Sequence, residues 1–186
     1  AGLIAQGSGN IIVTAQHATP TDVQVNVTGI TEILGTGHID VLTNGFITLT
    51  EQAGDMRVGN ITSTANDVTL TAPASIIDAL DDTAADVTGV NITLTAVAGS
   101  IGSASNFLEI NLLDQVGGVQ QVGTLRADAP QSIYIEETLG NLRVHHVVSA
   151  TGDVTLVARA GSIVDGNDDV NPDVADGFYR DADSRV

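Results

Sequence analysis

The 186-residue chain contains no cysteine, no tryptophan and no lysine. Without cysteine there can be no disulfide, no thiolate metal ligand and no thiol nucleophile, although export stays open. Aromatic residues are only 3% of the chain. Ile, Val, Leu, Thr and Ala must therefore supply the core, and thin branched side chains suit stacked β-coils better than a core anchored by large rings. Positive charge is scarce too: six arginines stand against 23 Asp and Glu, for a net charge of −17. That balance argues against a nucleic-acid partner and against docking on anionic lipid. No apolar run approaches the roughly 18 residues of a membrane span, so direct membrane insertion is not expected. The opening AGLIAQGSGN lacks the positive n-region of a secretory signal. If the protein is exported, this chain is expected to be a mature piece or an internal fragment.

What is present is apolar content and repetition. Hydrophobic residues make up 42% and mean hydropathy is +0.21, ample for a folded domain. Ile47 to Ser75 reads ITLTEQAGDMRVGNITSTANDVTLTAPAS, and 86 residues later Ile133 to Gly161 reads IYIEETLGNLRVHHVVSATGDVTLVARAG, identical at 12 of 29 positions. After one inserted residue, Ser75-Ile76-Ile77-Asp78 answers to Ser162-Ile163-Val164-Asp165, and Asp81, Asp82, Asp86 and Val87 recur as Asp168, Asp169, Asp173 and Val174. A self-similar chain of short β-type segments is the mark of a solenoid or array, which builds extended surfaces in preference to one deep active site.

Alternation with period two dominates, as in Asn66-Asp67-Val68-Thr69-Leu70-Thr71-Ala72 and Asn91-Ile92-Thr93-Leu94-Thr95-Ala96. Pairs such as Gly54-Asp55, Asn66-Asp67, Gly140-Asn141 and Gly152-Asp153 precede such runs and supply the residues that corners need. A helix over Ser75–Ala85 is disfavoured, because the copy at Ser162–Pro172 carries Gly, Asn and Pro. Equivalent strands are spaced 21 to 24 residues apart, so four coils account for one 86-residue repeat. The expected fold is all-β: a parallel β-helix, or β-solenoid, of about eight coils. The whole chain, 1–186, forms it, with long repeats near 10–90 and 91–176 and a transition or cap at 177–186. The match of Asn10–Ala15 to Asn91–Ala96 supports that division.

The strings NDVTLTAPASIID, VNITLTAVAGSIG and GDVTLVARAGSIVD resemble repeats of the filamentous-haemagglutinin-like and leukotoxin-like large bacterial adhesins. The resemblance covers nearly the whole chain, but its motifs encode a coil and not a chemistry. It implies a right-handed β-helical shaft at the bacterial cell surface or outside the cell, serving adhesion or spacing. Its partners would be neighbouring repeats, further copies of the chain, or a host or matrix component. The coil spacing here is longer than is usual in those families. The alternatives are a filament subunit stacked end to end and, less favoured, a β-helix enzyme acting on polysaccharide. No acid pair has a basic partner at a similar repeat position except Glu51/Arg57 and Glu137/Arg143, which are expected to be surface pairs. The chain is therefore read as non-enzymatic.

Closely spaced carboxylates and amides are hard oxygen ligands of the kind Ca²⁺ takes six to eight of. Asp165, Asn167, Asp168, Asp169, Asn171 and Asp173 are candidate Ca²⁺ ligands, and Asp78, Asp81, Asp82 and Asp86 form a weaker first-copy set. The D-x-N-x-D start is not an EF-hand, since Val170 stands where the sharp-turn glycine belongs and no Glu occupies the twelfth place. The competing reading is a solvated acidic loop. Thr48/Thr50, Thr69/Thr71 and Thr93/Thr95 form Thr-x-Thr pairs that, stacked on a flat face, could order water as ice-binding solenoids do. Ordinary outward threonines are the simpler reading, because Tyr134/Glu136 and Thr155/Val157 break the pattern in the second copy. His145 and His146 should point to opposite faces, and His17 and His38 are isolated, so no histidine metal site is expected. Asn-x-Thr at Asn26, Asn60 and Asn91 reflects strand composition.

Overall fold

The computed structural model describes residues 2–15 and 23–166. Its strands in chain order are β1 (Leu3–Ala5), β2 (Ile11–Ala15), β3 (Val27–Ile33), β4 (Ile39–Thr43), β5 (Ile47–Glu51), β6 (Met56–Ser63), β7 (Val68–Ala72), β8 (Ile76–Asp78) and β9 (Val87–Gly89). They continue with β10 (Ile92–Ala96), β11 (Leu108–Leu112), β12 (Gln115–Val116), β13 (Val119–Gln120), β14 (Leu125–Ala129), β15 (Ile133–Glu137), β16 (Leu142–Ser149), β17 (Val154–Ala158) and β18 (Ile163–Asp165). No described residue is helical.

The chain winds back and forth between two parallel sheets. One runs β1-β3-β5-β7-β10-β14-β16-β18, and the other β2-β4-β6-β9-β11-β15-β17 with β8 beside β6. Every strand pairing in them is parallel, whereas the short hairpin of β12 with β13 and an isolated bridge between Ser103 and Asn106 are antiparallel. This is the expected parallel β-solenoid. Coil length varies: Asn26 contacts Phe46, 20 residues on, whereas Asn91 contacts Thr124, 33 residues on. The extra residues lie in three excursions, at 79–86 between β8 and β9, at 102–107 before β11, and at 113–124 around the hairpin.

The alternating pattern dictates the core. In the first sheet Ile47, Val68, Ile92 and Leu125 stack in one inward column, and Leu49, Leu70, Leu94 and Ala127 in the next. All are buried. Each Val, Leu or Ile among them contributes about 1.5–3 kcal/mol by leaving water, against the entropy of ordering the chain.

The 86-residue repeat survives strand by strand, with β5, β6, β7 and β8 recurring as β15, β16, β17 and β18. The two copies nevertheless fall on opposite sheets: β5 and β7 lie in the first, β15 and β17 in the second, and β6 and β16 exchange in the opposite sense. From β5 to β15 the chain makes seven passages between sheets, so one repeat is three and a half coils, not four. The excursions consume the length that a fourth coil would have used. A half-integral repeat also means that each sheet presents alternate copies of the same sequence on its outer face.

The corners share one device. A side-chain oxygen just before a strand accepts the backbone N–H of the equivalent residue one coil later. Asn26 Oδ1 takes the Phe46 amide at 3.0 Å, Asp55 Oδ1 that of Ser75 at 2.9 Å, Asp67 Oδ1 that of Asn91 at 3.0 Å, and Asn141 Oδ1 that of Ser162 at 2.9 Å. The Gly-Asp and Asn-Asp pairs thus do more than permit turns: they continue the hydrogen-bond ladder where the backbone carbonyls turn away. Asn91 stands at the busiest point. Its Oδ1 accepts both the amide and the hydroxyl of Thr124, at 3.0 and 3.1 Å, while its Nδ2 donates to Asp67 Oδ1 at 3.1 Å. Replacing Asn91 with Ala is expected to cost about 1–2 kcal/mol, read as a lower urea midpoint at unchanged slope.

Candidate functional site

Asp78 ends β8, and the chain then leaves the sheet. The Asp78 carboxylate turns back on its own backbone, with Oδ1 accepting the Leu80 N–H at 2.7 Å and Oδ2 the Asp81 N–H at 2.8 Å. Such short polar side chains set turns in this way. Asp81 adopts a left-handed φ of 52°, which aspartate tolerates. Residues 80–84 are exposed. The chain re-enters the sheet at Asp86, whose Oδ2 accepts the Glu109 N–H of the next coil at 2.9 Å.

Three carboxylates meet at the foot of this excursion. One oxygen from each of Asp78, Asp86 and Glu109 lies within 4.8 Å of the others. The three residues are 7%, 3% and 5% exposed. Glu109 Oε2 is buried with no hydrogen-bond donor other than a proton shared with Asp86. Among the described residues the nearest cation is Arg159, from the turn after β17. It donates from Nε to Glu136 Oε1 at 2.6 Å and from Nη1 to the Thr83 carbonyl at 2.7 Å, and approaches Glu109 Oε1 only to 3.9 Å. Asn106 Nδ2 donates to the Asp78 carbonyl at 3.3 Å, joining the 102–107 excursion to the same place.

Burial pushes the Asp86 carboxyl up to about 9, and the neighbouring charges of Asp78 and Glu109 act in the same direction. Glu109 is raised as well, again chiefly by burial. Two acids this close in a dry setting resist ionising together, so one of them keeps a proton unless a cation compensates the charge.

Of the first-copy residues expected to gather, the fold brings Asp78 and Asp86 together and leaves Asp81 and Asp82 outside, on the exposed part of the loop. Asp82 Oδ1 accepts the Ala84 N–H at 2.6 Å. Glu109 was missed, being 23 residues beyond Asp86 and on the following coil. In the second copy Asp165 ends β18 and is exposed. Asn167, Asp168, Asp169, Asn171 and Asp173 lie outside the described residues.

The expected surface pairs do not form. Glu51 and Glu137 point inward and are 1% and 0% exposed. Each sits at the third inward position of its strand, where the following coil carries Ala72 or Ala158. Each accepts hydrogen bonds in the interior: the Thr31 hydroxyl and the Ile33 N–H donate to Glu51 at 2.6 and 2.7 Å, and the Leu112 and Leu139 N–H groups donate to Glu137 at 3.1 and 3.2 Å. The arginines go elsewhere, Arg57 donating to the Gly37 carbonyl at 2.8 Å and Arg143 forming an ion pair with Asp114 at 2.6 Å.

The threonines do stack. Thr28, Thr48, Thr69 and Thr93 form one outward column and Thr50, Thr71 and Thr95 the next, ending against Arg126 and Asp128. The second copy does not break this array, because its equivalent strands lie on the other sheet. His145 is the extra residue of a bulge, and His146 bonds Asp128 at 3.0 Å. His38 bonds Asp40 at 3.2 Å, and His17 lies outside the described residues. Comparison of the chain with protein-family models, with curated proteins and with solved structures finds no match to any of them.

Proposed function

We propose that this chain is a structural and adhesive shaft segment of a large secreted or surface-attached bacterial repeat protein. The observation that carries the reading is the unbroken register from β3 through β5, β7 and β10 to β14. Each coil is the template for the next, and stability grows by nearest-neighbour stacking. A shaft so built rises about 4.8 Å per coil, so added repeats lengthen it without changing its cross-section. The excess of acid keeps such a surface soluble and averse to lateral pairing. The excursions at 79–86, 102–107 and 113–124 are where contact with other surfaces would fall, since loops carried by a rigid scaffold can vary freely. Adhesion, secretion and surface location follow from the resemblance of its repeat strings to large adhesins.

Antibody raised against the folded chain should label intact cells of the source organism, and protease added outside should remove the signal. Labelling only after the cells are opened would refute the reading.

The filament-subunit alternative draws on one observation. Among the described residues β1, β2, β17 and β18 each pair on one side only, and they expose Leu3, Ile4, Ile12, Val154 and Ile163. Open parallel edges of this kind can accept another copy. Sedimentation velocity over a concentration series separates the two readings. An elongated monomer throughout supports the shaft, and growth into regular long assemblies supports the filament.

A further inference from the structure

We propose that Asp78, Asp86 and Glu109 bind one hard divalent cation, Ca²⁺ by preference, which clasps both feet of the 79–86 excursion to the following coil. Independent of any role as a shaft, this site differs from the acidic stretch visible in the sequence, because one ligand comes from the next coil and Asp81 and Asp82 take no part.

The donor geometry fits. Three carboxylate oxygens within 4.8 Å of one another can share an ion whose bonds to oxygen run about 2.3–2.6 Å. The donor set is oxygen only, with neither histidine nor cysteine among the three, which suits Ca²⁺ and disfavours Zn²⁺. Mg²⁺ demands near-ideal octahedral geometry and keeps its waters, whereas Ca²⁺ accepts an irregular cage completed by water. The exposed loop just beyond the cluster gives water that access.

The second, independent observation is Glu109 Oε2, which is buried and finds no hydrogen-bond donor other than a proton shared with Asp86. Buried carboxylate oxygens almost always have one. Arg159 does not fill the gap, because its short bonds go to Glu136 and Thr83 and its approach to Glu109 is 3.9 Å. Three acids thus face one arginine that is committed mainly elsewhere. A cation between them would satisfy the orphaned oxygen and the surplus charge together. It would also close the excursion at its base, Asp78 and Asp86 being its two ends and Glu109 the anchor.

The test is calorimetric titration of Ca²⁺ into the full chain, stripped with EDTA, at pH 8. A background Asp169→Asn/Asp173→Asn variant removes any ion held by the second copy's acids. One ion per chain is expected. Binding should be lost in Glu109→Gln and in Asp86→Asn, and retained in the double variant Asp81→Asn/Asp82→Asn. Binding that survives Glu109→Gln, or that disappears with Asp81 and Asp82, would mean the exposed loop holds the ion and would overturn the proposal, as would no binding at millimolar Ca²⁺. If Glu109→Gln does not fold, hydrogen exchange on the unaltered chain decides. Ca²⁺ should slow exchange at the amides of residues 80–86 and 109 at least tenfold. Equal exchange with and without Ca²⁺ would refute the site.

Discussion

Raising the pH from 5 to 9 should destabilise this protein, and Glu137 should account for much of the loss. Burial pushes its carboxyl from the ordinary 4.5 up to about 8, the Asp114 charge adds to the shift, and the Leu112 and Leu139 amides and the Arg143 charge oppose it without cancelling it. In the unfolded chain the same carboxyl ionises near 4.5. Between those values the folded state holds a proton that the unfolded state has released. The stabilisation is therefore complete below about 4.5 and is lost as pH rises through about 8. A shift of that size corresponds to about 4–5 kcal/mol at most. Glu51 is raised in the same direction, also by burial, and adds to the slope. Urea midpoints measured in EDTA should fall steadily across this range, and the buried Asp86 carboxyl should carry the fall on through about 9. Glu137→Gln keeps the shape and an acceptor for the Leu112 and Leu139 amides but cannot ionise. It should match the unaltered protein near pH 5 and exceed it near pH 9. A midpoint that is flat in pH, or a Gln variant that tracks the unaltered protein, would show that the Leu112 and Leu139 amides outweigh burial.

The inward place of Glu51 and Glu137 was legible, and expectation about charge obscured it. In Ile47-Thr48-Leu49-Thr50-Glu51, parity alone sets Glu51 on the same side as Ile47 and Leu49. The assumption that a charged residue sits outside overrode that period. The strands themselves, from Val68–Ala72 and Ile92–Ala96 to Ile133–Glu137, follow directly from alternation. Their parallel stacking follows from the coil-length spacing. The half-turn between copies does not follow, because a sequence repeat records how many residues recur and not how many times the chain crosses between sheets.

The carboxylate site was half legible for a related reason. Asp78 and Asp86 flank an acidic run, and acidity drew notice to the whole of it. Which acids converge depends on where the chain leaves and rejoins the sheet, and that puts the two ends together and the middle in solvent. Glu109 has outward parity in Leu108-Glu109-Ile110-Asn111-Leu112 and would ordinarily be exposed. It is buried at a site roofed by the preceding coil's excursion and by Arg159, neither of which local pattern can report.

Gly102→Ala should be among the most damaging single-methyl additions to this chain, costing about 3–5 kcal/mol. Gly102 opens the 102–107 excursion at a φ of +62°. An alanine there meets the left-handed penalty of about 1–2 kcal/mol that L-residues carry. Its Cβ would also collide with the Tyr134 carbonyl oxygen and lie 2.8 Å from the Leu108 amide nitrogen. Both contacts are backbone, in strands held by their own ladders, so neither can swing aside. Gly102 donates its N–H to the Ile76 carbonyl at 2.9 Å and is thus tied to the preceding coil as well. Relief requires moving one coil relative to another, at the point where Asn106 reaches the Asp78 carbonyl. Gly54 provides the control. Its φ is +74°, but no atom lies within 4 Å of a Cβ built on it. Gly54→Ala should show the conformational penalty alone, about 1–2 kcal/mol. Urea denaturation of the two variants side by side separates the terms. A large gap between them locates the cost in coil-to-coil packing. Equal losses would mean that backbone conformation accounts for all of it and that the coils can shift to admit a methyl group.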